Sequence, residues 1–354
     1  MALSSDTLFL LGVAVAKVVV VLLVLLTSIA YIVWLERKLV AHIQSRWGPY
    51  RVGPYGLLQP LADGLKFLFK EDIVPLEVDK FVYWLAPFLS FTLAMLTFAV
   101  IPFGGQFKLF GHEIYLQIDD LNVGLLYVFA VTSLGVYSIA LAGWSSNSKY
   151  PLFGGLRSSA QMISYELSLG LAVVGTLMIA GSLSLRDIVN SQAGTWHLAG
   201  TNTFLPHWNI FVQPVGFIVY FIAAIAETNR IPFDLPEGET ELVGGYHTEY
   251  SSFKFAMFFM AEYANMVTVS CIATLLFFGG WHGPVFGPAW LHVLLPVFWF
   301  ALKVFCFLFF YIWMRGTLPR FRYDQLMAFG WKFLLPLALL NILATSFVVA
   351  WIGA

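Results

Sequence analysis

Charge is what this chain has least of. Asp, Glu, Lys and Arg make up 11% of its 354 residues, against roughly 25% in an average soluble domain, so a water-soluble globular enzyme is excluded first. The formal net charge of −1 leaves no polybasic surface to neutralise phosphates and argues against nucleic acid. Cysteine is nearly absent: Cys271 and Cys306 both lie in apolar stretches and share no ligand spacing with each other or with a histidine, so neither zinc nor an Fe–S cluster is expected. His42, His112, His197, His207, His282 and His292 show no ligand spacing either. CxxC, HExxH, GxxxxGK[ST] and GxGxxG are missing, which removes the common routes to a catalytic zinc or a bound nucleotide. Any redox cofactor is therefore expected on a partner.

What the chain has in quantity is apolar sequence, 59% of it, with 34 Phe and 12 Trp. Continuous apolar windows fall near 8–34, 82–103, 121–142, 158–181, 210–226, 253–280, 290–314 and 331–353. A helix needs about 20 residues to cross the hydrocarbon core, so the pattern predicts an all-α polytopic membrane protein with about eight transmembrane helices in a single integral domain, 1–354. The window 210–226 is the weakest and is expected to borrow residues beyond Glu227. The first run is too long for a signal-peptide core and reads as the first span. Strand alternation is lacking, so no β-barrel competes.

Lysines and arginines orient the spans. With the N-terminus outside, fifteen of the nineteen fall in inner segments, Lys108 and Arg186 fall outside, and Lys17 and Lys303 lie within spans. Both termini are then expected to face the periplasm, and the inner loops 35–81, 227–252 and 315–331 become the places to look for function.

In the first inner loop, Leu57, Leu61, Leu65 and Leu68 recur at helical spacing while Gln59, Asp63, Lys66 and Lys70 occupy another face, the pattern of an amphipathic helix lying in the interface. Arg46-Trp47-Gly48-Pro49-Tyr50-Arg51 before it supplies turn residues, aromatics and basic groups at headgroup level. Such a helix anchors the chain to the membrane, or forms the portal of a site for an amphipathic, lipid-soluble ligand. Ionisable residues deep in spans are a second signal: Lys17, Glu166, Glu262 and Lys303 each sit near mid-span, where a charge costs on the order of 3 kcal/mol. They read as a structural pair gluing helices or as a path for protons.

The second inner loop places Glu227, Asp234, Glu237, Glu239, Glu241 and Glu249 around Arg230 and His247, interleaved with Pro, Gly, Ile and Phe. Crowded acids make a plausible proton reservoir, and the mixture fits a segment packed against a cavity better than a freely solvated run. The third loop carries Arg315, Arg320, Arg322 and Asp324 with aromatics, which suits either topology determination or docking of a carboxylate-bearing partner. The outer stretch 182–209 receives no role.

At these segments the sequence resembles the family of H-type membrane subunits of bacterial respiratory complex I, the NADH-quinone oxidoreductase. The residues that carry the resemblance are Glu36-Arg37-Lys38, GPYRVGPYGLLQPLADGLK at 48–66, Ser164-Tyr165-Glu166, AETNRIPFDLPEGETELVGGYHTEY at 226–250, MAEY at 260–263 and RGTLPRFRYDQLM at 315–327. The resemblance implies a subunit of a proton-translocating enzyme in the bacterial inner membrane, joined to redox-arm subunits at the cytoplasmic face and to other membrane-arm subunits. NADH, FMN and the Fe–S clusters would sit on partner subunits, with quinone as substrate and its tail passing between the first span, the amphipathic helix and the sixth span. Carried onto matching positions, Arg37, Arg46, Asp63, Lys66, Arg230 and Phe233 would line the quinone chamber. Glu36, Glu227, Asp234, Glu237, Glu239 and Glu241, continued by Glu166, Glu262 and Lys303, would form the proton or coupling path. Arg315, Arg320, Arg322 and Asp324 would face the redox arm. The competing readings are the membrane anchor of a related hydrogenase, an autonomous ion transporter, or a scaffold with incidental acids.

Overall fold

The computed structural model describes residues 5–109, 112–198, 201–234, 244–288 and 291–352. Eleven α-helices are described: α1 (Ser5–Ile43), α2 (Gln59–Phe69), α3 (Lys80–Leu96), α4 (Gly124–Ser145), α5 (Lys149–Ala180), α6 (Leu185–Ser191), α7 (Pro214–Glu227), α8 (Ser252–Phe277), α9 (Leu291–Thr317), α10 (Tyr323–Phe329) and α11 (Leu335–Ile352). A π-helical turn, Gly330–Leu334, joins α10 to α11 and lets Gly330 seat against the Tyr165 ring. Among the described residues, seven helical stretches are long and apolar enough to cross a membrane, and the chain is an all-α, multi-pass membrane protein.

The eighth expected span is shorter than foreseen. α7 holds 14 residues, about 21 Å at helical rise against a core of about 30 Å, and it gains nothing beyond Glu227. The chain turns there through Asn229, whose φ of 51° leaves the helical region, and Pro232 removes a backbone donor. α7 is instead wrapped by its neighbours, with Val219, Tyr220, Ala223 and Ala224 fully buried. It approaches α5 closely because Gly216 faces the carbonyl of Ala172, where an added Cβ would lie at 3.1 Å. The core runs along α5, α7 and α8, and on α8 every residue from Met266 to Phe277 is buried.

Two short antiparallel hairpins, β1 (Gln106–Leu109) with β2 (His112–Tyr115) and β3 (Thr195–Leu198) with β4 (Thr201–Pro206), lie in loops where the sequence pattern marks no element. Helix alternation puts both at the end opposite the basic loops. α1 stands at the periphery. Val15, Val19, Val20, Leu23 and Val24 are exposed, as befits a lipid-facing helix, whereas Leu25, Ile29, Ile32 and Glu36 turn inward.

α2 shows the amphipathic pattern turned inside out relative to a soluble protein. Leu57, Leu61, Leu65 and Leu68 are exposed, while Gln59 and Asp63 face the body of the chain. An apolar stripe pointing away from protein needs lipid or a partner to cover it. Its ends are fastened: Arg37 on α1 binds Asp63 at 2.6 Å, and the Ser252 hydroxyl at the start of α8 donates to the carbonyls of Phe67 and Lys70 at 3.0 and 2.9 Å. Lys254, buried, pairs with Asp72 at 3.0 Å and lies over the Trp84 ring at 4.0 Å. α1, α2 and α8 therefore meet at one corner of the inner end.

Candidate functional site: a buried ionic quartet beneath the amphipathic helix

Four elements deliver one charged group each to this corner. Glu36 comes from α1, Arg230 from the turn after α7, Glu262 from α8 and Arg315 from the last turn of α9. Arg230 Nη1 donates to the two carboxylate oxygens of Glu36 at 3.4 and 3.3 Å, and its Nε is 3.0 Å from Glu262 Oε1. Arg315 Nη1 pairs closely with Glu36 Oε1. The Tyr263 hydroxyl donates to Glu36 Oε2 at 2.8 Å, and the Arg230 guanidinium stacks over the Tyr263 ring at 4.2 Å. Glu36 is 6% exposed and Arg230 4%.

Two acids and two arginines leave the quartet formally neutral, which is what makes its burial tolerable. Burial by itself pulls Arg230 toward neutrality. Glu262, Tyr263 and Glu36 outweigh it and hold the guanidinium charged well above its ordinary range.

The turn that presents Arg230 is held from both sides. Gln161 Nε2 on α5 donates to the carbonyls of Ala226 and Phe233 at 2.8 and 2.9 Å. Asn229 Nδ2 donates to the Ser158 hydroxyl at 3.2 Å. Phe233 packs between Tyr165 and Phe321, ring centroids 5.9 and 5.6 Å away, and Tyr165 donates to the carbonyl of Leu326 at 2.9 Å. Asp234, 4% exposed, takes an ion pair from Arg320 at 3.2 Å. The 228–234 turn and the arginine-rich loop thus form one packed unit.

A second acidic group adjoins this turn. Glu227 closes α7, is within electrostatic reach of Glu166 on α5 and Tyr311 on α9, and has an Oε2 that is shielded and unpartnered among the described residues. The Ser133 hydroxyl of α4 donates to Glu166. A proton placed on either carboxylate is felt electrostatically by the other.

The sequence-predicted residues divide cleanly. Glu36, Arg230, Glu262 and Arg315 come together, Glu166 and Glu227 form the adjoining pair, and Arg37 and Asp63 tie α1 to α2, the lid over this corner. Of the residues expected to face a partner, Arg315 turns inward to Glu36, and Arg320, itself exposed, reaches the buried Asp234. Arg322 and Asp324 remain at the surface, paired at 3.3 Å. Phe233 is shut inside an aromatic stack. Arg46 is exposed and donates to Gln44 at 2.7 Å, and Lys66 is exposed beside the Phe67 ring. Glu237, Glu239 and Glu241 lie outside the described residues.

Lys303 sits elsewhere. Its ammonium donates to the carbonyls of Phe278, Gly280 and His282 at 2.7, 2.9 and 2.7 Å. That places it past the outer end of α8, about 24 Å from Glu262 by helical rise. Lys17 likewise donates to a backbone carbonyl, that of Gln117, at 2.8 Å.

Sequence reasoning missed Tyr263, Gln161 and Tyr311. Tyr263 directly follows Glu262, and Gln161 stands one helical turn before Tyr165, so polar groups at helical spacing beside a mid-span acid were the available signal. At the inner surface a depression of about 690 Å³ opens beside α2, lined by Trp47, Pro49, Tyr50, Arg51 and Gln59.

The NADH dehydrogenase family model matches residues 16–346. The chain belongs to this family. Among curated relatives it is 61% identical to the second H-type NADH-quinone oxidoreductase subunit of Koribacter versatilis, covering 98% of this chain and 99% of the relative. It is 54% identical to the first H-type subunit of Geobacter sulfurreducens over 95% of the chain and 94% of the relative, and 56% identical to the H-type subunit of Thermomicrobium roseum over 95% and 96%. Coverage of the family extends from α1 through α11, so the quartet, the acid pair and the lid all fall inside it.

Proposed function

We propose that this chain is the H-type membrane subunit of a proton-translocating NADH-quinone oxidoreductase, and that its inner corner is the part of the enzyme that senses quinone reduction. The names of the relatives favour this reading over a hydrogenase anchor. The observation that carries the mechanism is the neutral quartet, assembled from four separate elements directly beneath the α1, α2 and α8 junction.

In this reading the isoprenoid tail passes between those three helices, and the headgroup lies in the depression beside α2, completed by the redox arm. The flavin, the Fe–S clusters and the NADH site belong to partner subunits. Reduction of one quinone takes up two electrons and two protons, so charge changes next to the quartet during turnover. A neutral, buried network answers such a change only by moving a proton or a side chain, because no bulk water screens it. Arg230 is the moving part in this reading. Its turn is held firmly, so the motion is that of the side chain: displacement of the guanidinium toward the headgroup would uncover Glu262 and Glu36 and pass the imbalance to Glu227 and Glu166. Arg322 and Asp324 face the redox arm. The chain lies in the bacterial inner membrane with its basic loops cytoplasmic and both termini periplasmic.

The test is Glu36→Gln in the assembled complex. Inhibitor-sensitive NADH:quinone turnover should fall about tenfold or more, as expected when one member of a buried charge network is removed, while NADH oxidation by a soluble acceptor at the flavin is retained. Unchanged quinone turnover would refute the assignment.

A further inference from the structure

The structure holds a second apolar feature, one with no residue of α2 in its lining. A groove of about 640 Å³ runs along the outward face of α1 against α9, with α8 as its floor. Val20, Val24 and Ser28 form one wall, Ala301 and Val304 the other, and Val267 the base. It extends from Val13 to Ile32 on α1, about 28 Å by helical rise. Its walls are almost entirely hydrocarbon, the lining an acyl chain requires.

The outer part of the slot is polar in a specific way. Lys17 lines it and gives one hydrogen bond to the carbonyl of Gln117, which leaves ammonium protons for a further acceptor. Asp119 is within electrostatic reach of Lys17, as is Arg186, which is itself ion-paired with Asp120 and stacked at 4.0 Å over Tyr115. The rim therefore offers an ammonium with donor capacity to spare beside an exposed carboxylate, and the slot below offers hydrocarbon walls.

We propose that this groove is a binding site for a phospholipid with a zwitterionic amine headgroup, phosphatidylethanolamine. The phosphate sits on Lys17, the headgroup ammonium faces Asp119, and an acyl chain fills the slot along Val20, Val24 and Ser28. The lipid takes the place of a partner helix on the least buried face of α1 and holds α1 against α9. This inference stands on the fold and the rim chemistry, independently of the quinone reading.

The test uses the assembled complex in nanodiscs and a phosphatidylethanolamine carrying a photoreactive acyl chain, with crosslinks mapped by mass spectrometry. Labelling should fall on 20–28 and 301–308, and Ala301→Trp, which fills the slot, should abolish it. Lys17→Met should reduce labelling about fivefold, the worth of one lysine near a lipid phosphate, and leave labelling by a photoreactive diacylglycerol unchanged. In unaltered complex, unlabelled phosphatidylethanolamine should compete better than phosphatidylglycerol, a measurement that needs no variant to assemble. Labelling that survives Ala301→Trp, equal competition by the two lipids, or crosslinking of a partner helix or a quinone analogue at these positions in place of the lipid would overturn the proposal.

Discussion

The inner half and the outer end of α8 each fix a cation, and they do so by opposite means. At the inner end Arg230 is neutralised by carboxylates, Glu36 and Glu262. At the outer end Lys303 is held by three carbonyls of the loop that follows α8, under the Trp208 ring at 4.7 Å. Backbone carbonyls do not titrate at any physiological pH, so the outer arrangement is a fastener. Carboxylates and an arginine on a short turn can change partner and proton occupancy. Burial of charge in a membrane protein thus does not by itself mark a pathway; the chemistry of the partners decides.

The largest effect should come from unbalancing the inner end. Arg230→Met leaves Glu36 with Arg315 alone and Glu262 without its arginine; loss of one partner from such a buried network costs about 3–5 kcal/mol. Quinone turnover should collapse in whatever complex assembles, and Glu262→Gln placed on top of it should restore assembly by removing the orphaned charge. No rescue would show that the groups act singly, not as a unit. At the outer end, Lys303→Met should lower thermal stability by about 1–3 kcal/mol, the cost of buried carbonyls left without a donor. Turnover and protons translocated per electron in assembled complex should stay at the unaltered values; a changed proton ratio would return Lys303 to the coupling path.

Smaller effects sharpen the contrast. His282, beside the outer fastener, is pushed below its ordinary range, first by burial and then by the Lys303 charge. The folded state then binds fewer protons than the unfolded chain, so stability is full above about pH 6.5, the unfolded value, and declines as pH falls below it toward the folded value. A thermal melt with His282→Phe should flatten that slope; an unaltered slope would remove this histidine from the account. Arg37→Ala, which cuts a half-exposed tie between α1 and the lid, should cost less than about 1 kcal/mol of stability. Its effect should appear in the KM for quinone and not in maximal turnover.

Much of this architecture is legible from hydropathy, because a run of twenty apolar residues has few other solvents to choose. The orientation of α2 is legible too, since its leucine spacing defines a lipid-facing stripe. The end of α7 is not: it depends on the backbone at Asn229 and on Pro232. The hairpins are too short and polar to stand out. Within the site, mid-span acids draw attention to Glu166 and Glu262, but Glu36 and Arg230 are 194 residues apart, and only tertiary packing of α1 beside the turn after α7 joins them. Arginine composition says nothing of direction, and so Arg315 and Arg320 read as outward-facing when their carboxylate partners lie within the chain. Lys303 carries no sequence mark of its ligands at all, because those are carbonyls beyond the end of another helix.

Redox-induced infrared difference spectroscopy on the reconstituted complex tests the central idea most directly. Reducing the quinone should produce carboxyl-stretch bands that disappear in Glu262→Gln and are altered in Glu166→Gln, while Lys303→Met leaves them in place. A difference spectrum with the same carboxyl bands in all three variants would contradict the claim that acids at the inner end of α8 register the arrival of electrons.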